Sequence, residues 1–300
     1  MAEKDIMEKI LLSYADVFAD CENVLMYDGE QRMKAEEMQP ASTESFYFKG
    51  GGSGGKEGMH NQFCDKSFYH VKDGKIKAQY ITENETQLER RQILRKASYQ
   101  GGAYRQQLES GREVYPVISM VIDWTWKSSR IPFSLHELLR QDGAAQKDLD
   151  LADDMKMNVF HMNNLPKEVR RKFTSDMGFV ADYLNEGNFE SRKEQKIIHM
   201  EALCSMMEAL TGDGRFTDSV GEMLKMQEGG RKIVMCEYID MLEARGEARG
   251  KVIGKEMGED MLISLLTQLY TLGREEDVKL VLKDKEARKQ MYQEFSIADH

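Results

Sequence analysis

Apolar residues recur with two different periods in the first third of the chain. Over residues 6–26 they stand mostly three or four positions apart, which is typical of an amphipathic helix. Residues 67–71 and 75–82 instead have the composition of two strands, and the Asp73-Gly74 pair between them is a strong β-hairpin signal. Residues 114–124, VYPVISMVIDW, are almost continuously apolar, as in a strand that is buried on both faces.

Further along, the pattern predicts a helix over residues 88–108 and a shorter strand over residues 157–162. Helices and strands that alternate in this way indicate an α/β fold. After residue 165 the spacing is helical throughout. We therefore predict an α/β domain over residues 1–165, a helical extension over 166–230, and a long charged helix with short terminal helices over 231–300. The predicted helices of the extension span 166–173, 176–185, 192–210 and 216–226.

Between residues 28 and 58 the periodicity fades, and the run GGGSGG occupies residues 50–55. Such a run has no side chains to bury. Since only one helix precedes it, and one helix cannot form a core, we expect an exposed loop within the domain and not a linker.

The long helix predicted from residue 235 carries glycine at every fourth position, at Gly246, Gly250, Gly254 and Gly258. This spacing allows a second helix to approach closely, although each glycine costs about 1 kcal/mol relative to alanine. The interleaved Arg, Lys and Glu exclude packing of this kind inside a membrane. The pattern predicts that the chain forms a homo-oligomer, or binds a partner, through this helix. A charged spacer without a partner fits the pattern equally well.

The composition, with 41% hydrophobic residues in 300, is sufficient for a sizeable core. No apolar run approaches the roughly 18 residues of a membrane-spanning helix, and the first residues, MAEKDIMEK, lack the apolar stretch of a signal peptide. We therefore predict a cytoplasmic protein that does not bind membranes. The four cysteines form no CxxC pair, so we expect reduced thiols and neither a zinc site nor a disulfide framework.

The net charge of −10 argues against a protein that coats nucleic acid indiscriminately. Residues 90–112 are the exception, with six basic residues and one acid. This local excess of positive charge suggests an anionic partner at one place, and a solvated helix face is the alternative.

Paired acids precede this basic segment. Glu83 and Glu85 stand two residues apart on the predicted strand and so project from the same face. Asp65 lies just before the preceding strand, and a hairpin would bring it close to both. Three converging carboxylates would suit Mg²⁺ or Mn²⁺, and arginines along one face of the next helix would hold phosphates. These arginines are Arg91, Arg95 and Arg105.

The order of these residues resembles that of the bacterial PD-(D/E)XK nuclease-family transposases, also described as recombination-promoting nucleases. The likeness rests on Asp65, on residues 83–86 (ENET), on Arg95 and on residues 99–105 (YQGGAYR). It is strongest for the version common in gut Clostridia and covers nearly the whole chain. The other similar segments are SYADVFADCENVLMYDGEQ at 13–31, YPVISMVIDW at 115–124, DDMKMNVFHM at 153–162, FVADYL at 179–184, LTGDGRF at 210–216 and the Arg/Gly/Glu-rich tail.

The resemblance implies a restriction-endonuclease-like mixed sheet flanked by helices, and metal-dependent hydrolysis of DNA phosphodiester bonds. Asp65 matches the metal-binding aspartate of the family. Glu83 matches the first acid of the (D/E)xK signature, so these two residues would bind Mg²⁺ or Mn²⁺.

Two features depart from the family pattern. The third signature position, Lys in the superfamily and typically Gln in this family, is Glu85 here. A glycine-rich segment also replaces the charged helical segment before Asp65. The sequence therefore predicts either an active DNA endonuclease of mobile elements or recombination, with Asp65, Glu83 and Glu85 as catalytic residues, or an inactive descendant that binds DNA or oligomerises. A helical oligomerisation adaptor with a vestigial sheet is a third reading.

Overall fold

The structure, a computed structural model, describes residues 10–49, 58–111, 113–125, 131–218, 220–228 and 233–297. These residues form two compact units that divide between Cys236 and Glu237. The first unit is built on a five-stranded sheet, and the second is helical. The predicted α/β class with a helical C-terminal region is therefore confirmed.

The central sheet is mixed, with the strand order β1-β4-β5-β6-β7. β4 runs antiparallel to its neighbours β1 and β5, whereas β5, β6 and β7 run parallel to one another. β2 and β3 pair separately as a two-stranded antiparallel sheet. The strands are β1 (Met38–Pro40), β2 (Glu44–Lys49), β3 (Gly58–Phe63), β4 (Lys66–Lys72), β5 (Lys75–Glu85), β6 (Val117–Asp123) and β7 (Asn158–His161).

The hairpin of β4 and β5 forms where the sequence predicts it. Asp73 and Gly74 have φ angles of 54° and 71°, the left-handed conformation that tight hairpin turns require and that these residue types tolerate. β6 is buried almost throughout, as its continuous apolar run predicts. The strand predicted over residues 157–162 is confirmed as β7.

Twelve α-helices are described in the two units. They are α1 (Ala15–Tyr27), α2 (Gln92–Ser110), α3 (Leu135–Gln141), α4 (Gln146–Leu149), α5 (Lys167–Arg170), α6 (Met177–Glu186), α7 (Met200–Thr211), α8 (Arg215–Asp218), α9 (Val220–Glu228), α10 (Met235–Thr271), α11 (Glu275–Lys283) and α12 (Lys285–Glu294).

Helices α1 and α2 cover opposite faces of the sheet. Phe18 of α1 packs with Phe68 and Tyr80 in one buried cluster. On the other face, Tyr99 of α2 packs with Ile81 in a second cluster. Since successive residues of a strand point to opposite faces, even-numbered residues of β5 face α1 and odd-numbered residues face α2.

The helical extension is tied to α1 by a buried carboxylate. Asp20 accepts hydrogen bonds from the backbone N–H and the hydroxyl of both Thr174 and Ser175, at 2.7–2.9 Å. The helical extension therefore continues the first unit and contacts its α/β part directly.

The second unit has its own small core, formed by the end of α10 with α11 and α12. Its buried residues are Leu265, Leu269, Val278, Val281 and Met291. The apolar spacing over residues 262–270 predicts a separate short helix, and this prediction is wrong, because these residues are the last turns of the continuous α10. Around residues 251–260 every side chain is exposed, and a Cβ added at any of the four regularly spaced glycines would meet nothing within 4 Å.

Some sequence predictions of the fold need correction. The loop expected over residues 28–58 contains β1 and β2, because these strands are fixed by partners distant in sequence and not by an internal period. The glycine-rich run at 50–55 lies outside the described residues. The single helix predicted over residues 6–26 is interrupted by a turn at residues 12–14: Ile10 and Leu11 are helical, α1 begins at Ala15, and residues 1–9 are not described. None of the described helices is both long enough and apolar enough to cross a membrane.

Candidate active site at the end of the central hairpin

The antiparallel pairing of β4 and β5 places Asp65 beside Glu83. Lys66 is the register partner of Thr82, so the residue before β4 lies next to the last residues of β5. The backbone N–H of Asp65 donates to Glu83 Oε1 at 3.3 Å, and the backbone N–H of Asn84 donates to Asp65 Oδ2 at 2.7 Å. The predicted proximity of Asp65 and Glu83 is thus present in the structure, fixed by one hydrogen bond from Asp65 to Glu83 and one from the neighbouring Asn84 to Asp65.

Glu83 and Glu85 project from the same face of β5, toward α2, where Arg95 contacts both. Arg95 Nη1 lies 2.9 Å from Glu85 Oε1, and Nη2 lies 3.5 Å from Glu83 Oε2. Gln92, at the start of α2, also donates to Glu85 Oε1. Glu85 therefore holds the shorter of the two contacts with Arg95 and has a second donor as well.

The two glutamates differ in how well their charge is neutralised. Burial raises the pKa of Glu83 to about 8, the charge of Asp65 adds to this effect, and Arg95 opposes it. Burial also raises the pKa of Glu85, but Arg95 and the hydrogen bond from Gln92 act in the opposite direction. Of the two glutamates, Glu83 consequently has the less compensated negative charge.

The chemistry of these donors bears on a metal ion. Within the described ranges, no group of three or more His, Cys, Asp or Glu side chains is arranged to hold a metal. The sequence predicts three converging carboxylates, whereas the structure pairs Asp65 with Glu83 and engages Glu85 with Arg95 and Gln92. Two carboxylates still fit Mg²⁺, because this ion usually takes one or two from the protein and completes its octahedron with water and phosphate.

The neighbouring cysteine does not add a thiolate ligand. Cys64 precedes Asp65 and is buried. Burial raises the pKa of its thiol to about 12, and the charges of Glu83 and Asp65 add to the effect. All four cysteines are free, as the sequence predicts.

The three arginines predicted to hold phosphates have different environments. Arg95 is half-exposed and already paired with Glu83 and Glu85. Arg91 is exposed at the N-terminal end of α2, near the acids. Arg105 is exposed too, but ten residues beyond Arg95, which places it about 15 Å further along the helix. The structure therefore groups Arg91 and Arg95 with the acids and separates Arg105 from them.

Sequence reasoning missed two residues on the adjacent strands. Asp123 ends β6 as the register partner of Glu85, and His161 ends β7 as the register partner of Asp123. His161 Nδ1 lies 2.5 Å from Asp123 Oδ2. The signal was available, because polar residues that end consecutive parallel strands meet at the same edge of a sheet.

A third buried glutamate lies outside this site. Glu22 of α1 accepts a hydrogen bond from Thr82 Oγ1 at 3.1 Å on the opposite face of β5. Its other carboxylate oxygen is buried and has no hydrogen-bond partner in the described structure. Burial raises the pKa of Glu22 to about 8, with the Thr82 hydroxyl opposing the shift.

Comparisons of the chain with protein-family profiles, with curated protein sequences and with solved structures gave no match.

Proposed function

We propose that this chain is a metal-dependent endonuclease that hydrolyses phosphodiester bonds of DNA in mobile elements or recombination. The resemblance to PD-(D/E)XK nuclease-family transposases motivates the proposal. The observation that carries it is the hydrogen bond from the backbone N–H of Asp65 to the Glu83 carboxylate, beside the guanidinium of Arg95. The mixed sheet flanked by helices agrees with the restriction-endonuclease-like core that the resemblance implies.

Asp65 and Glu83 would hold Mg²⁺ or Mn²⁺ in this proposal. When bound, such an ion lowers the pKa of a coordinated water and stabilises negative charge on the phosphate under attack. Glu83 suits this role because burial and Asp65 make its negative charge costly without a nearby cation. The backbone N–H of Asp65 holds the Glu83 carboxylate, and the backbone N–H of Asn84 holds the Asp65 carboxylate.

Arg95 would replace the missing positive charge of the signature. The superfamily places a lysine at the position of Glu85, close to the acid matched here by Glu83. In this chain the guanidinium of Arg95 reaches the same neighbourhood from α2 and is anchored there by Glu85. We therefore assign Glu85 the role of holding Arg95, whose remaining N–H groups can donate to a phosphate.

A plasmid-nicking assay with Mg²⁺ or Mn²⁺ tests the proposal. We expect the wild type to nick DNA and Glu83→Gln to lose at least about 100-fold, because a neutral amide is a poor ligand for these ions. The amide oxygen of glutamine still accepts the hydrogen bond from Asp65, so the fold should survive. Glu89→Gln is the matched control, since Glu89 is an exposed glutamate near the site. Equal cleavage by wild type and Glu83→Gln would refute the site.

The ion pair of Glu85 with Arg95 also supports a second candidate, an inactive descendant that binds DNA or oligomerises. Arg95 contacts both Glu83 and Glu85, and no three-ligand group is present among the described residues. Calorimetry with Mn²⁺ separates the candidates. Absence of Mn²⁺ binding by the wild type, with cleavage gained in Glu85→Gln or Glu85→Lys, would favour the inactive descendant.

Self-association through α10 belongs to this second candidate. The four glycines and the surrounding side chains are exposed, so the stripe is open to another helix. Sedimentation of the full chain and of Gly250→Ala/Gly254→Ala tests it. Weaker association of the double variant would support the stripe as the contact, and a monomeric wild type would remove this function along with the helical-adaptor reading.

A further inference from the structure

Beside the acids, the next two strands end in a second pair of ionisable residues, Asp123 and His161. Glu85, Asp123 and His161 are successive register partners across β5, β6 and β7. Register partners on parallel strands project from the same face, so the three residues form one row at the edge of the sheet. Adjacent strands lie about 4.8 Å apart, which puts the Cα atoms of Glu85 and His161 about 10 Å from each other.

The buried carboxylate of Asp123 is held in a single position. Asp123 is fully buried. It accepts hydrogen bonds from the backbone N–H of Thr125 at 3.0 Å and from the Thr125 hydroxyl at 3.1 Å, in addition to its contact with His161. A carboxylate with three fixed donors orients its partner, as second-shell carboxylates orient histidines in other sites.

The imidazole of His161 is consequently fixed in orientation but open to solvent. Its side chain is 37% exposed, and the ring of Phe133 packs edge-on at 6.4 Å between centroids. Because Nδ1 faces Asp123, Nε2 is the nitrogen that remains for a ligand. In the part of the chain that the structure describes, Nε2 makes no hydrogen bond.

Fixing an exposed histidine with a buried aspartate is typical of proton transfer to a bound molecule. An ordinary structural role would not need the outward nitrogen. The ring also leans toward β6, on the side of the row where Glu83 and Glu85 lie. Glu83 on β5 and His161 on β7 are two strand spacings apart, so a phosphodiester held at Asp65 and Glu83 brings a sugar oxygen to His161 when it extends along this row.

We propose that His161 is the proton donor for the leaving sugar oxygen and that Asp123 is its positioning residue. This inference rests on the proposed nuclease function. In its protonated form His161 carries one N–H toward Asp123 and one on Nε2. Water attacks phosphorus and releases a proton to solvent. The bond from phosphorus to the leaving oxygen breaks with its electron pair on that oxygen, which takes the proton of Nε2. The products are a phosphomonoester and a sugar hydroxyl, and His161 regains its proton from solvent.

Two substrates with different leaving groups test the assignment. A sugar alkoxide needs a proton to depart, whereas nitrophenolate departs without one. We expect His161→Gln to lose about 100-fold or more on plasmid DNA, the range of general acid catalysis. With Mn²⁺ and bis(4-nitrophenyl) phosphate, the loss should be at least tenfold smaller. Asp123→Asn should also lose more activity on DNA than on bis(4-nitrophenyl) phosphate. Both losses should be smaller than those of His161→Gln, because the amide still reaches the ring but fixes it less firmly.

The outcomes separate this inference from the proposed function. If the wild type cleaves DNA and His161→Gln cleaves it equally well, the proton-donor role is wrong and the nuclease stands. Equal losses on both substrates would also overturn it, since a structural role affects every substrate alike. A wild type that cleaves neither substrate overturns both proposals. Should His161→Gln unfold, His161→Asn gives the same comparison with a shorter amide side chain.

Discussion

At the scale of single residues, the pair of Glu85 and Arg95 decides how the acidic cluster is interpreted. From sequence, Glu85 is a departure from the signature and Arg95 is one of three phosphate-binding arginines. In the structure they are partners 2.9 Å apart, and Arg95 also reaches Glu83. The unusual acid and the helix arginine thus form one arrangement that leaves a positive charge beside Glu83.

This arrangement predicts an order of effects on DNA cleavage. Arg95→Gln removes the guanidinium, and we expect a loss of about 100-fold, within the range seen when a charge-stabilising donor is removed. Glu85→Gln should lose less, because its amide oxygen still accepts from Arg95 and Gln92. Arg90→Gln is the matched control, since Arg90 pairs with Asp142 on the surface. Steady-state nicking rates give the order, and a reversed order would assign the chemistry to the Glu85 carboxylate itself.

Glu22 predicts a pH dependence of stability. Its pKa is about 8 in the folded protein and near the ordinary 4.5 in the unfolded chain. Because the folded pKa is raised, the contribution of Glu22 to stability is complete below pH 4.5 and is lost as the pH rises toward 8. Glu22→Gln stays neutral and avoids this loss. We expect its free energy of unfolding to exceed that of the wild type by about 4 kcal/mol at pH 8, because each unit of pKa difference corresponds to about 1.4 kcal/mol.

Urea unfolding at pH 4.5 and at pH 8 measures this difference. At pH 4.5 the two proteins should differ little, because Glu22 is then neutral in the folded protein and only half ionised in the unfolded chain. Thr82 keeps an acceptor in the variant. A difference that is the same at both values would show that Glu22 does not titrate between them.

At the scale of elements, the sequence predicted what depends on local signals. The hairpin of β4 and β5 follows from Asp73-Gly74, and this hairpin is what places Asp65 beside Glu83. β1 was missed because its three residues form a strand only by pairing with β4, about thirty positions away. The pair of Asp123 and His161 was missed for a similar reason, since their contact depends on the parallel order of β6 and β7.

One helix depends on a glycine that its sequence does not explain. A Cβ at Gly178 in α6 would lie 2.3 Å from Arg192 Cζ. Arg192 is buried and donates to Asp182 at 2.7 Å and to the Phe173 carbonyl at 2.9 Å, so it cannot move away without breaking these bonds. We expect Gly178→Ala to destabilise the first unit by about 3 kcal/mol, as overpacking and the loss of buried charged hydrogen bonds do.

The control for this substitution is Gly101→Ala in α2. Nothing lies within 4 Å of a Cβ at Gly101, so alanine should stabilise the helix by about 1 kcal/mol. In thermal unfolding, we expect the melting temperature to fall for Gly178→Ala and to rise for Gly101→Ala if the contact with Arg192 decides the outcome. A stable Gly178→Ala protein would mean that Arg192 can be repositioned without cost.

At the scale of the whole molecule, the structure reduces the positive charge that the sequence offers to DNA. The segment 90–112 has six basic residues in a chain of net charge −10. Arg90 is paired with Asp142, Lys96 is buried against the Lys156 carbonyl, and residue 112 is not described. Among the described residues of this segment, three arginines remain available in part or in full, Arg91, Arg95 and Arg105. DNA binding should therefore involve few phosphate contacts.

This count predicts a shallow salt dependence. Each neutralised phosphate contributes about −0.9 to the slope of log K against log salt concentration, so three contacts give a slope of about −3. Arg105→Ala should reduce the magnitude of this slope by about 1 and weaken binding to every duplex similarly, because a phosphate contact carries no sequence information. Arg91→Ala should have the same effect.

Arg215→Ala is the control for these two variants, since Arg215 pairs with Asp213 in the helical extension. Fluorescence anisotropy of a labelled duplex between about 50 and 200 mM salt measures the slopes. A slope much steeper than −3, unchanged in both arginine variants, would place the DNA surface elsewhere on the molecule.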